Sequence, residues 1–184
     1  MFFLCGHRSS GKSITGKILE NKGYWVFDVG PFIRKYYKKN NTENLSLTDF
    51  IKKKELENKN PDWMPDFLRH ELNKQYERGC KDKKDLVIIG FRSMNDINFF
   101  EKKLQKTIFL KEQSKIIFIE TELQLALKRF LDREKNNKEK HFWEQINYEK
   151  KWGIEKIKER ADVTIDNNSS MNNLLEEIDH YFDN

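Results

Sequence analysis

Short apolar runs alternate with amphipathic stretches along the whole chain. Phe2–Cys5, Tyr24–Asp28, Leu86–Ile89, Lys115–Ile119 and Val163–Ile165 are rich in aromatic and β-branched residues and read as strands. Leu86–Ile89 is apolar at every position, as a strand buried on both faces of a parallel sheet should be. The segments between them follow a helical period. Lys12–Asn21 carries Ile14, Ile18 and Leu19, and Pro31–Lys39 starts a helix with Pro31 in its first turn. A further helix carries Leu123, Ala126, Leu127, Phe130 and Leu131, and the last has Leu174, Leu175, Ile178 and Phe182 on its inner face. Ser46-x-x-Asp49, Ser93-x-x-Asp96 and Thr121-x-x-Gln124 read as helix caps. Leu45–Gly79 has no strand signal, and Trp63-Met64 before Pro65 divides it into two helical pieces. Its charged face suggests a weakly attached unit. Lys135–Lys140 has no apolar residue and reads as a loop, with helix following to about Arg160. Strands alternating with helices predict a three-layer α/β fold around a five-stranded parallel sheet.

Composition changes that picture little. A chain of 184 residues suits one domain, and 13% aromatic residues argue against disorder despite 35% charged residues. The net charge of +5 fits an anionic partner or a lysine-rich solvated surface. Cys5 and Cys80 lie far apart and outside any zinc spacing, so nothing asks for an oxidising compartment. Met1–Cys5 is too short for a signal-peptide core, and no apolar run reaches membrane-spanning length. The expectation is a cytoplasmic protein without a membrane partner.

The chemistry is concentrated in Gly6-His7-Arg8-Ser9-Ser10-Gly11-Lys12-Ser13, which fits G-x-x-x-x-G-K-[ST] without a mismatch. It follows a predicted strand and opens a predicted helix. Glycines let successive backbone N–H groups converge on one concavity, and the helix N-terminus adds positive potential there. The loop, with Ile14 after it, is therefore expected to cradle the phosphates of ATP or GTP. Lys12 should reach the β- and γ-phosphates, and Ser13 should ligate Mg²⁺. His7, at a variable position, is expected to face solvent.

Arginines stand where strands end. Arg92 directly follows the third strand, Arg34 lies in the helix after the second, and Arg129 and Arg133 share a face of the helix after the fourth. Phosphoryl transfer needs fixed positive charge around the transferred group, and arginine supplies two parallel hydrogen bonds to a phosphate. The bland alternatives are surface ion pairs, for Arg92 with Asp96. Trp63, Trp143 and Trp152 read as hydrophobic anchors, with base stacking as the other reading.

Several segments resemble P-loop nucleotide kinases. Asp28-Val29-Gly30-Pro31-Phe32-Ile33-Arg34 is similar to the segment after strand two of nucleoside monophosphate kinases. Gly90-Phe91-Arg92 resembles their segment after strand three, one residue shorter, and Arg129 to Arg133 resembles the arginine pair at the lid entrance. Ala161–Asn168 resembles the late strand of dephospho-CoA kinases. Ile88–Phe100 is also similar to a group of adenylate-kinase-like proteins without an assigned role. The chain departs from the pattern at Ile89 and Pro31, where family members usually carry an acid.

The resemblance implies catalytic roles for Lys12, Arg92, Arg129, Arg133 and Asp28, with Asp28 in the metal shell or as acceptor base. It implies acceptor contacts from Asp28, Gly30, Arg34 and Arg92. It further implies a core of 1–33, 80–134 and 160–184, a helical acceptor-binding insert at 34–79 and a lid at 135–159. The expected reaction is transfer of the γ-phosphoryl of MgATP to a nucleotide-type acceptor. A nucleoside or deoxynucleoside monophosphate is favoured, with dephospho-CoA as the alternative. A slow, regulatory ATP-binding module is the second class. Nucleic acid is not the expected partner.

Overall fold

A computed structural model of the chain describes residues 1–77, 84–104, 114–133 and 138–182. Cys80 lies outside these residues, as do 135–137 at the start of the expected lid. Five strands form one parallel sheet: β1 (Phe2–Cys5), β2 (Trp25–Asp28), β3 (Leu86–Ile89), β4 (Lys115–Glu120) and β5 (Val163–Asp166), in the order β2-β3-β1-β4-β5. The register pairs Leu4 with Ile89 and with Ile117, Asp28 with Ile89, and Glu120 with Asp166.

Alternation of side chains across the pleat explains the layers. Phe3, Cys5, Leu86, Ile88, Ile116 and Phe118 face one core. Covering them are α2 (Val29–Asn40), α4 (Trp63–Glu77), α5 (Met94–Leu104) and α8 (Ile154–Glu159). Leu4, Val87, Ile89, Ile117 and Ile119 face the other, under α1 (Lys12–Asn21) and α9 (Met171–Phe182). A third cluster joins α6 (Leu123–Arg133) to α7 (Glu139–Trp152) through Ala126, Phe130, Phe142 and Ile146. The expected three-layer α/β fold is the observed one.

Details differ from the sequence expectations for physical reasons. α2 begins at Val29, because the Asp28 carboxylate accepts the Gly30 N–H and caps it; Pro31 still lies in the first turn. Pro65 does not break α4 but sits in its opening turn, where a missing N–H costs nothing. The break falls earlier, between α3 (Leu47–Glu57) and Trp63. Ser46 and Ser93 do cap their helices, accepting from Asp49 N and Asn95 N. Nor is α4, within the Leu45–Gly79 segment, weakly attached. Leu68 and Leu72 of α4 are fully buried in the main core. Burial of a leucine contributes about 1.5–3 kcal/mol, so the pair anchors α4 firmly. Trp63 stacks on Phe67 and packs against Tyr36, which makes it an anchor. Ile154 and Ile157 of α8 are likewise fully buried, so that part of the expected lid packs into the core.

Candidate active site

A parallel sheet brings all its carboxyl ends to one edge, and the candidate residues follow those ends. β1 runs into Gly6, β2 ends at Asp28, β3 leads to Gly90 and Arg92, β4 to Thr121, and β5 to Asn167.

The Gly6–Ser13 loop has the shape a phosphate cradle needs. Gly6 (φ 143°) and Gly11 (φ 103°) adopt conformations that other residues resist. A Cβ on Gly6 would lie 2.6 Å from the Ile119 carbonyl oxygen, and one on Gly11 2.2 Å from Asn167 Nδ2. Gly11 is the N-cap of α1, so the positive end of that helix faces the loop. Lys12 Nζ donates to the carbonyls of Gly6 (2.7 Å) and His7 (2.6 Å) and lies over the loop. Burial first, and the like charge of Arg92 second, push Lys12 down to about 8. Ser13 and Ile14 are exposed at the start of α1, which leaves the Ser13 hydroxyl accessible to a cation.

Two residues brace the loop from β4 and β5. Thr121 Oγ1 donates to Ser10 O (3.2 Å) rather than capping α6 as its spacing suggested. Asn167, itself buried, donates from Nδ2 to Ser10 O at 2.8 Å. Arg129 reaches Asn167 Oδ1 at 3.5 Å, and its buried Nη1 finds no acceptor among the described residues. The Ser9 hydroxyl is buried and equally unsatisfied. These orphaned donors beside a glycine-lined concavity fit a polyphosphate. Arg8 lies over the Phe130 ring, 4.9 Å from its centre, and Arg133 is exposed at the end of α6. Arg129 thus reaches the residue that braces the loop.

His7 does not face solvent. It is buried, edge-on to Phe118, and its Nδ1 donates to Glu149 Oε2 at 3.1 Å. The backbone N–H of Arg8 donates to the same oxygen at 3.1 Å. Arg92 Nη1 pairs with the other oxygen of Glu149 at 2.8 Å, not with Asp96. Asp96 is instead raised to about 6 by burial and by Asp62 and Glu55. Burial alone would raise the Glu149 carboxyl. The His7 hydrogen bond, Arg92, Lys12 and the Arg8 N–H together outweigh it and hold the group below the ordinary carboxylate value.

Beside this cluster lies a second one. A Cβ on Gly30 would sit 2.9 Å from Arg34 Nη1 and 3.3 Å from Asp28 Oδ1, so the guanidinium covers Gly30 beside the capping carboxylate. Gly90 (φ 109°) lies against Asp28 and Gly30. Next to it, Pro31, Arg34, Lys35, Lys38 and Lys39 line an open hollow of about 530 Å³ on α2. Asp28 and Glu149 both favour the charged form of Lys12.

No protein-family model matches the chain. A dephospho-CoA kinase of Fusobacterium nucleatum subsp. nucleatum is 28% identical over 97% of this chain and 94% of its own length. Among solved structures, a dephospho-CoA kinase from Campylobacter jejuni aligns at TM-score 0.56 with 19% identity, over 99% of this chain and 94% of that one. A gluconokinase from Sinorhizobium meliloti 1021 aligns at TM-score 0.59 with 14% identity, over 96% and 87%. The chain has the fold of these P-loop kinases. No described helix is long and apolar enough to cross a membrane.

Sequence reasoning missed Thr121, Asn167 and Glu149 as parts of the site. A signal for Glu149 existed. Phe142, Ile146 and Glu149 follow the spacing of a buried helical face, so the acid occupies a position where an apolar residue is expected. Thr121 carried a misleading one, because its spacing to Gln124 mimics a cap. For Trp143, the ring N–H donates to Glu139 and the ring packs on Phe142, while Trp152 is exposed and stacks on Tyr148.

Proposed function

We propose that the chain transfers the γ-phosphoryl group of MgATP to a small phosphorylated acceptor. What supports this is a phosphate cradle in the Gly6–Ser13 loop, with the Asp28–Gly30–Arg34 cluster and Arg92 following neighbouring strand ends on the same edge of the sheet. Lys12 would leave the Gly6 and His7 carbonyls for the β- and γ-phosphate oxygens, and Arg129 would meet the donor from α6. Mg²⁺ would be held by Ser13 and the phosphates, with Asp28 as a candidate carboxylate of its shell, and would neutralise developing charge. The acceptor oxygen attacks the γ-phosphorus, the bond to the ADP oxygen breaks, and ADP leaves.

Dephospho-CoA becomes the first acceptor to test, since a relative of that name matches nearly the whole chain. Its acceptor group is a hydroxyl, and Asp28 is available to take the proton. A nucleoside monophosphate, favoured by the sequence, remains supported by the two acceptor-side arginines, because phosphate acceptors need charge rather than a base. A coupled ADP-release screen across dephospho-CoA, the ribo- and deoxyribonucleoside monophosphates and 5′-hydroxyl oligonucleotides tests the proposal. Release stimulated by one small phosphorylated acceptor is expected. Release independent of every small acceptor would favour a regulatory ATP-binding role.

A further inference from the structure

The Glu149 carboxylate is hard to explain by packing alone. It has no exposed side-chain surface, and it sits beneath a crevice meant for anions, where a negative charge works against the ligand. An apolar residue at this point of α7 would complete the face of Phe142 and Ile146 and leave no buried charge. Its partners show what the acid does instead. Oε2 receives His7 Nδ1 and the Arg8 N–H from the phosphate loop. Oε1 forms a 2.8 Å ion pair with Arg92 Nη1, from the segment after β3, and takes no aligned hydrogen bond among the described residues. The Arg92 side chain is itself part-exposed. One carboxylate thus joins the donor loop to the arginine at the acceptor end.

We infer that Glu149 is a positioning residue that aims Arg92 and fixes it to the phosphate loop, so that donor and acceptor phosphates meet at a preset separation. This rests on the phosphoryl-transfer reading. Arginine has a long, freely rotating stem. Held by one nitrogen, it can present its remaining N–H groups in a fixed direction to a phosphate. The neutral isostere Glu149→Gln keeps a carbonyl oxygen for the Arg8 N–H and removes the charge that pins Arg92. It should lower kcat/KM for the acceptor about tenfold or more while MgATP affinity stays within a few-fold. In an Arg92→Ala background the same change should add less than about twofold, because the group it acts through is gone. Glu149→Asp, which keeps the charge on a shorter arm, should recover part of the loss.

An equal loss from Glu149→Gln in both backgrounds, or unchanged acceptor kinetics, would overturn the inference. A second readout does not depend on turnover. The Arg92 guanidinium N–H signals in ¹⁵N NMR should show hindered rotation in the wild type and free averaging in Glu149→Gln. Free averaging in the wild type would overturn the inference whether or not an acceptor is known. Hindered signals in an enzyme that transfers to no acceptor would instead count against the phosphoryl-transfer reading alone.

Discussion

The Gly6–Ser13 loop is held from three sides of the crevice, by Thr121 from β4, Asn167 from β5 and Glu149 from α7, while Lys12 ties it from within. The Asp28–Arg34 turn is fixed by one cap bond to Gly30 and opens onto an exposed helix face. The difference follows from what each end would bind. A triphosphate is the same in every turnover, so a rigid array of N–H donors can be set in advance, which is where electrostatic catalysis gains most. An acceptor is recognised by shape as well as charge, and an open, basic helix face can select it without being closed beforehand. On the proposed function, the donor end is therefore a property of the fold, and the acceptor end a property of a few side chains.

Changes at the donor end should be severe and should not depend on the acceptor. Lys12→Ala should lower triphosphate turnover on the order of 100-fold or more, measured as ADP release at saturating acceptor. Full turnover in that variant would remove the loop from the chemistry. Gly6→Ala places a Cβ 2.6 Å from a backbone oxygen at a positive φ, so the loop must distort. MgATP affinity by calorimetry should fall about 10- to 100-fold while the melting temperature changes modestly. An unaltered affinity would mean that the loop is softer than its bracing implies.

Arg34→Ala sharpens the comparison from the other end. Acceptor KM should rise about tenfold, with the MgATP dissociation constant unchanged in a direct titration. A parallel loss at both ends would mean the two are not separable.

The titration of Lys12 gives a gentler probe. Burial and Arg92 set it near 8, below its ordinary 10.5, and phosphates require the charged form. MgATP affinity should be flat below pH 8 and weaken up to about tenfold per unit above it, since binding must then take up a proton. Removing Arg92 should move that bend to higher pH. Stability runs the other way. The unfolded chain still holds the proton between pH 8 and 10.5, so the free protein gains stability across that interval. The smallest effect belongs to Ser46→Ala, which removes the α3 cap: about 1 kcal/mol of stability by denaturant titration, with both ends of the crevice unaffected.

The fold was legible because its strands are short apolar runs and its helices keep a clear period. Phe2–Cys5 and Leu86–Ile89 were placed to the residue. The loop was legible because its chemistry depends on local spacing. The bracing was not. Asn167 lies 157 positions from Ser10, and Glu149 lies 142 from His7. Contacts at that range leave no periodic trace, except where an acid such as Glu149 occupies an apolar position. His7 was misjudged for the same reason, since its burial depends on α7. Pro65 was misread because a proline before or within a first helical turn gives the same local signal as a break.

The central claim is that one crevice passes phosphorus from a donor held by the loop to an acceptor held by Asp28, Arg34 and Arg92. The most direct measurement incubates the enzyme with ATP labelled on the γ-phosphorus and Mg²⁺, offering dephospho-CoA and each monophosphate in turn, and separates the products. The label should appear on one acceptor in step with ADP, and this transfer should disappear in Lys12→Ala. Label recovered solely as inorganic phosphate, or retained in ATP with every acceptor, would contradict the account.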